Sequence, residues 1–298
     1  MRRATSADLM LAGTVLIWAF NFTVTKYVLG HGFHPIAYST FRYGAAALLF
    51  AGLTYSLEGS LRVGRRHLVL LLVAAGVGIW LNQLSYVYAI KLTTASTTAL
   101  ILGATPIFTA LFAFAVGLER VRARFWAAAL VSFVGVGLIA AGASGGVSAD
   151  VKGDALAVAA AATWAAYSVA IAPLMRSYSP FRISAFVLLA GWIPLAATGA
   201  HQVAEQSFDL TALVWVGLGY AILGPLVVTN VLWFTAIHRV GPSHATLFAN
   251  VQPFIAAIFA VLILAERLTA LQIAGGVAVG LAVLLARARE RPVLAGAD

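Results

Sequence analysis

Cysteine is absent from the 298 residues, so neither a disulfide nor a thiolate metal site can form, and the redox compartment is left open. Acid is scarce as well, with 10 Asp and Glu against 19 Lys and Arg. Asp8, Glu58, Glu119, Asp150, Asp154, Glu205, Asp209, Glu266, Glu290 and Asp298 all fall at the ends of apolar stretches or between them, so no carboxylate stands near the middle of one. His31, His34, His67, His201, His238 and His244 are scattered, and no two stand at i, i+4 ligand spacing with a supporting acid. The glycine-rich segments at 142–146 and 275–280 are not followed by Gly-Lys-Ser/Thr, so no phosphate loop is encoded. A membrane enzyme would need a nucleophile with its base, a metal cluster or paired carboxylates, and none is found; no cofactor is expected. Charged residues make up only 10% of the chain, and the longest polar gaps, around 143–152 and 201–210, are too short to fold as soluble domains.

What is present is apolar sequence in runs of membrane length. Candidate spans cover approximately 8–29, 34–57, 67–90, 94–116 and 123–142, then 153–174, 180–200, 211–236, 243–264 and 269–287. Each is about 20 residues, the length a helix needs to cross roughly 30 Å of hydrocarbon. Runs such as Leu68 to Ile79 lack the in-out alternation of a barrel strand. The net charge of +9 does not point to nucleic acid, because the cations lie between spans rather than on one solvated face. Arg2, Arg3, Arg62, Arg65, Arg66, Arg120, Arg122, Arg124, Arg176, Arg182, Arg239, Arg287, Arg289 and Arg291 fall on one side; Lys91, Lys152 and Arg267 fall on the other. The positive-inside rule then puts both termini in the cytoplasm, in agreement with an even number of crossings. The first stretch is read as a retained helix, being too long for a signal peptide and lacking a small-residue cleavage site.

Sliding the chain by 147 residues aligns Ala89-Ile90 with Ala236-Ile237, Ser96 with Ser243, Pro106 with Pro253, and Glu119-Arg120 with Glu266-Arg267. Between 89 and 120, ten of 32 positions are identical, where roughly three are expected by chance. Near the start the offset becomes 146 and aligns Trp18-Ala19 with Trp164-Ala165. The expectation is an all-α membrane protein of ten transmembrane helices, built as two five-helix repeats over 1–146 and 147–298. Five is odd, so the second repeat enters the membrane from the opposite side. Inverted repeats give a carrier two nearly equivalent states, one open to each face. Duplication that merely enlarged a structural protein is the alternative.

Ile17-Trp18-Ala19-Phe20-Asn21-Phe22, followed by Lys26, His34-Pro35 and Phe41-Arg42-Tyr43, resembles the opening of the EamA family of the drug/metabolite transporter superfamily. Ala104-Thr105-Pro106 and Val251-Gln252-Pro253, each leading through an apolar helix to Glu-Arg at 119 and 266, resemble that family's fourth and ninth helices. The resemblance covers both halves. It implies a ten-helix carrier with a central cavity that moves amino acids or other small metabolites, commonly out of the cell, and contact with Trp18 and Trp164 would favour aromatic or apolar amino acids among them. Drugs and phosphorylated or nucleotide-linked metabolites are the alternative cargo. A bacterial inner membrane, a lipid bilayer as surroundings and a monomer or homodimer are expected. Small multidrug antiporters of the same superfamily use a carboxylate within their first helix to exchange protons for cations; this chain has none, which leaves facilitated diffusion or a coupling group such as His244.

Trp18, Asn21 and Thr25 share one stripe of the first helix, and the repeat places Trp164 and Tyr167 on the equivalent face of the sixth. Two tryptophans then face each other across the pseudo-twofold axis, either lining a cavity or packing on neighbouring helices. Asn82, Gln83 and Tyr86 align with Thr229, Asn230 and Trp233. Amides in hydrocarbon need partners, so these residues turn toward the bundle interior, to a solute or to another helix. Pro106 and Pro253 each free a backbone carbonyl at membrane depth, which marks a transport path or a plain kink. Arg42 lies about two turns inside the second helix and is read as a hold on a carboxylate or phosphate. Lys26, nearer the outer end of the first helix, can instead snorkel to the interface.

Overall fold

The computed structural model describes residues 5–118, 123–142, 147–240, 245 and 248–287. Helices fill it, and no strand occurs among the described residues. In chain order they are α1 (Ser6–Gly30), α2 (Pro35–Glu58), α3 (Arg65–Leu92), α4 (Ala95–Ala115), α5 (Ala123–Ala141), α6 (Val147–Ile171, extended by a 3₁₀ turn Ala172–Arg176) and α7 (Pro180–Glu205). Then come α8 (Ala212–Ile222 continuing through Thr229–Val240), α9 (Gln252–Leu264) and α10 (Ala270–Arg287). α1, α3, α4, α5, α6, α7 and α8 are long and apolar enough to cross a membrane. α2 has the length, but Tyr38, Ser39, Thr40, Arg42 and Tyr43 crowd its first turns and keep its mean hydropathy below theirs. Val69, Leu130, Ile193 and Leu262 are each at least 65% exposed, while alanines line the interior. Large apolar side chains outside and small ones between helices suit a lipid solvent.

Local chemistry sets the helix ends. Thr5 and Asp8 close a capping box at the start of α1, and Pro35 begins α2, which ends at left-handed Gly59. The polar gap expected over 201–210 is half helix, since α7 runs on to Glu205. Two glutamines explain the difference: Gln202 Oε1 accepts from the Ile36 amide (2.8 Å) and Gln206 Oε1 from the His34 amide (2.7 Å), so the end of α7 caps the start of α2. The gap expected from 143 likewise closes at Val147, where α6 begins.

The main helix pairs map onto one another when five is added to each helix number. α1 packs on α8 and α9, and α6 packs on α3 and α4; α2 packs on α7, α4 on α9 and α5 on α10. Where α5 crosses α10 the backbones touch, and a Cβ at Gly275 would lie 2.5 Å from the Gly135 carbonyl oxygen. Only glycine permits that approach.

Local irregularities obey the same translation. α3 widens into a π-helical turn at Gly76–Leu81 and α8 into another at Leu223–Val228, 147 residues later. Turns also interrupt the chain at Gly103–Ala104 and at Asn250–Val251, again 147 apart, with Pro106 and Pro253 in the first turn of the helix that follows. Pro106 removes the amide that would bond the Leu102 carbonyl, and Thr105 Oγ1 takes its place at 2.6 Å.

Candidate functional site

Each π turn receives an aromatic side chain from the opposite half. Pro225 lies in the α8 turn, and its carbonyl accepts from Trp18 Nε1 of α1 at 3.3 Å and from Thr229 Oγ1 at 2.7 Å. Trp18 also meets Trp233, with ring centroids 5.2 Å apart, and Tyr220 donates to the Ile17 carbonyl at 2.8 Å. Gly78 of the α3 turn is the repeat equivalent of Pro225, and Tyr167 of α6 lies directly over it. Asn82 ties the same joint: its Nδ2 donates to the Ala160 carbonyl (2.8 Å) and to Thr163 Oγ1 (3.1 Å). A π turn offers backbone carbonyls outside the regular ladder, and such turns recur at functional sites. Here they form two matching joints, α1 on α8 and α6 on α3.

A polar cluster lies where α1, α2 and α3 meet. Asn21 Nδ2 donates to the Tyr86 hydroxyl at 3.3 Å, and Phe22 packs edge-on against the Tyr86 ring. Thr25 and Tyr38 share a hydrogen bond of 3.2 Å between their hydroxyls. Arg42 is 4% exposed, with its guanidinium 5.3 Å from the ring centre of Tyr43 and 5.9 Å from that of Tyr38. Its Nε donates to the Ala221 carbonyl at 3.0 Å. That carbonyl is the one Pro225 leaves without an amide partner, so the arginine repairs a break in the opposite half.

Toward their C-terminal ends α1 and α3 hold each other through lysines. Lys26 Nζ donates to the Ile90 carbonyl at 2.8 Å and to the Thr93 carbonyl, both at the end of α3. Lys91 Nζ reaches back to the Leu29 carbonyl of α1 at 3.3 Å. Cations at helix C-termini meet the negative end of the macrodipole and its orphan carbonyls. No comparable packing joins α6 to α8 among the described residues, and the position matching Lys26 is Ala172.

The expected site residues therefore divide. Asn21, Tyr86 and Arg42 gather in the α1–α2–α3 cluster; Trp18 and Trp233 share one joint, and Asn82 and Tyr167 the other. Trp164 does not meet Trp18 in this state: it leans on Tyr167, with centroids 5.2 Å apart, and is 43% exposed. Asn230 bonds the Leu226 carbonyl of its own helix at 2.7 Å. His244 lies outside the described residues. Lys26 is held by carbonyls rather than snorkelling. The sequence reading missed the π turns and Lys91, although Gly76-Val77-Gly78 and Gly224-Pro225 interrupt their spans at matching positions. Glu266, singled out in sequence only as part of the repeat, accepts with its two oxygens from the Ala95 and Ser96 amides (2.8 and 2.9 Å) and caps α4 from the opposite half. Among the described residues no group of three or more His, Asp or Glu is placed to hold a metal ion.

Residues 5–141 and again residues 151–288 match the model of the EamA-like transporter family. The chain belongs to the EamA-like transporter family. It is accordingly a multi-pass membrane protein. A relative from Bacillus subtilis, the uncharacterized transporter YyaM, is 23% identical over 93% of this chain and 92% of its own. Two EamA-related matches carry more specific names. The probable terminal-alkyne amino-acid exporter of Streptantibioticus cattleyicolor is 26% identical over 90% of this chain and 89% of its own. The probable amino-acid metabolite efflux pump of Salmonella typhimurium is 26% identical over 88% of each. A solved crystal structure superposes with a TM-score of 0.66 over 95% of this chain and 96% of its own, at 20% identity, a likeness of fold.

Proposed function

We propose that this EamA-family protein is a secondary carrier that moves amino acids, aromatic or apolar ones first, across a bacterial inner membrane by alternating access, in the export direction. The observation that carries this reading is the pair of π turns at equivalent positions, each seated by an aromatic of the opposite half. A carrier built from related halves exchanges its states by rocking one against the other, and such rocking needs equivalent joints. Two relatives named for amino-acid export support the cargo. One buried guanidinium also suits a single carboxylate better than a phosphate dianion.

In this reading the chain crosses the membrane ten times as two inverted repeats, 1–146 and 147–298, with both termini in the cytoplasm. The twofold family match, the correspondence of the main helix pairs and the distribution of cations support it. The lysine-bound ends of α1 and α3 then close the outer face, while α6 and α8, which share no comparable packing among the described residues, leave the inner face open. With no native cysteine to interfere, Arg62→Cys and Ser207→Cys give a direct test of orientation. An impermeant thiol reagent applied to intact cells should label position 207 and leave 62 untouched; the reverse pattern overturns the topology.

The cargo is tested by uptake of labelled phenylalanine, leucine, glucose and a nucleotide sugar into proteoliposomes. Saturable uptake of the amino acids alone is expected. Trp18→Ala should weaken phenylalanine uptake roughly 2- to 10-fold in KM, the worth of one aromatic contact, and leave leucine less affected. Transport of glucose or the nucleotide sugar in place of amino acids contradicts the reading.

A further inference from the structure

We propose that Arg42 and Asn21 form the polar end of the solute site, the guanidinium taking the carboxylate of an α-amino acid and Asn21 Oδ1 its ammonium group. The proposal rests on the amino-acid reading above and names the atoms that would do the recognising. Arg42 is deeply buried and bonds the Ala221 carbonyl through Nε, yet its Nη1 is buried with no hydrogen-bond partner. Among the described residues no carboxylate forms an ion pair with it. Tyrosine rings stand beside the guanidinium, and these favour a cation without accepting its protons in line. Asn21 is the converse case. Its Nδ2 is spent on Tyr86, while its Oδ1 is buried with no donor.

A buried cationic donor and a buried neutral acceptor, both unpaired, are each costly to leave unmade. Arg42 stands beside the Tyr38 ring, whose hydroxyl bonds Thr25 one turn beyond Asn21 on α1, so both polar groups belong to the same α1–α2–α3 cluster. A carboxylate supplies the acceptor that Nη1 lacks, and an ammonium group supplies the donor that Oδ1 lacks; one zwitterion carries both. Trp18 lies one turn before Asn21 on the same stripe of α1, so the solute's own side chain would extend from the polar end toward the Trp18–Trp233 pair. Both polar atoms are covered in this structure, and access requires α1 to move relative to α2 and α3, the opening that release of the Lys26 and Lys91 contacts would allow.

Binding of phenylalanine, phenylalaninamide and 3-phenylpropionate to the purified full chain tests the assignment. The wild type should prefer phenylalanine about tenfold or more over each analogue. Arg42→Gln should erase the preference over the amide and keep that over 3-phenylpropionate; Asn21→Leu should do the opposite. Each preference is a ratio within one variant, which a merely structural role in holding Ala221 does not move. Should Arg42→Gln fail to accumulate, Arg42→Lys keeps the charge without the fork and should lower the same ratio. Ratios unchanged from wild type in the variants overturn the subsite while leaving amino-acid transport standing. Failure of the wild type to bind phenylalanine, with another solute bound, overturns the amino-acid reading itself and the subsite with it.

Discussion

Gly78→Val should abolish transport and lower thermal stability, whereas Gly76→Val, two residues earlier in the same π turn, should do neither. A Cβ at Gly78 would stand 2.7 Å from Tyr167 Cβ, an atom fixed close to the α6 backbone that cannot swing away. The helices must therefore part. Forced overpacking of this kind costs about 1–3 kcal/mol. At Gly76 an added Cβ meets nothing within 4 Å. Thermal unfolding in detergent should separate the two variants clearly. Adding Tyr167→Ala to Gly78→Val should restore only part of the lost stability, because it removes the ring atoms nearest the new Cβ and leaves the Tyr167 Cβ position at 2.7 Å. Equal stability of Gly78→Val and Gly76→Val would show that the α6–α3 joint is not a close fit.

Replacing both lysines, Lys26→Gln with Lys91→Gln, should loosen the joined ends of α1 and α3. Each amine bonds carbonyls at the partner helix's C-terminus, where a cation gains from both the orphan acceptors and the dipole, up to about 2 kcal/mol in a partly buried setting. Glutamine keeps a donor and loses the charge. Ile90 is fully buried between these ends, so an Ile90→Cys side chain reports the opening. Its labelling from outside by an impermeant thiol reagent should quicken about tenfold or more in the double lysine variant, with single variants in between. An unchanged labelling rate would mean that apolar packing alone closes this end.

Much of the fold was legible because membrane helices announce themselves by length, and because the repeat doubles each signal. Trp18, Pro106 and Arg42 each stood out against a uniform apolar background, and a charge or a missing amide in hydrocarbon demands a partner. The partner's identity was not legible. Arg42 bonds Ala221 because Pro225 frees that carbonyl, a pairing of two helices far apart in the chain that no local pattern contains. The π turns were hidden for another reason: one extra residue per turn leaves the apolar count unchanged, and only Gly78 and Pro225 at matching offsets hint at it. Trp18 and Trp164 match in sequence but occupy different surroundings, since Trp18 is held by the Pro225 carbonyl and Trp164 is largely exposed. The sequence shows which positions correspond, and the packing of neighbouring helices decides what each position touches.

Counterflow tests the central claim most directly. Proteoliposomes loaded with unlabelled phenylalanine and diluted into a trace of labelled phenylalanine should accumulate label transiently above its equilibrium level, because a carrier that alternates between two faces returns with solute bound. A transient overshoot that disappears when the internal phenylalanine is omitted is the predicted result. Simple equilibration, at the same rate with and without internal phenylalanine, would identify an open pathway and contradict alternating access.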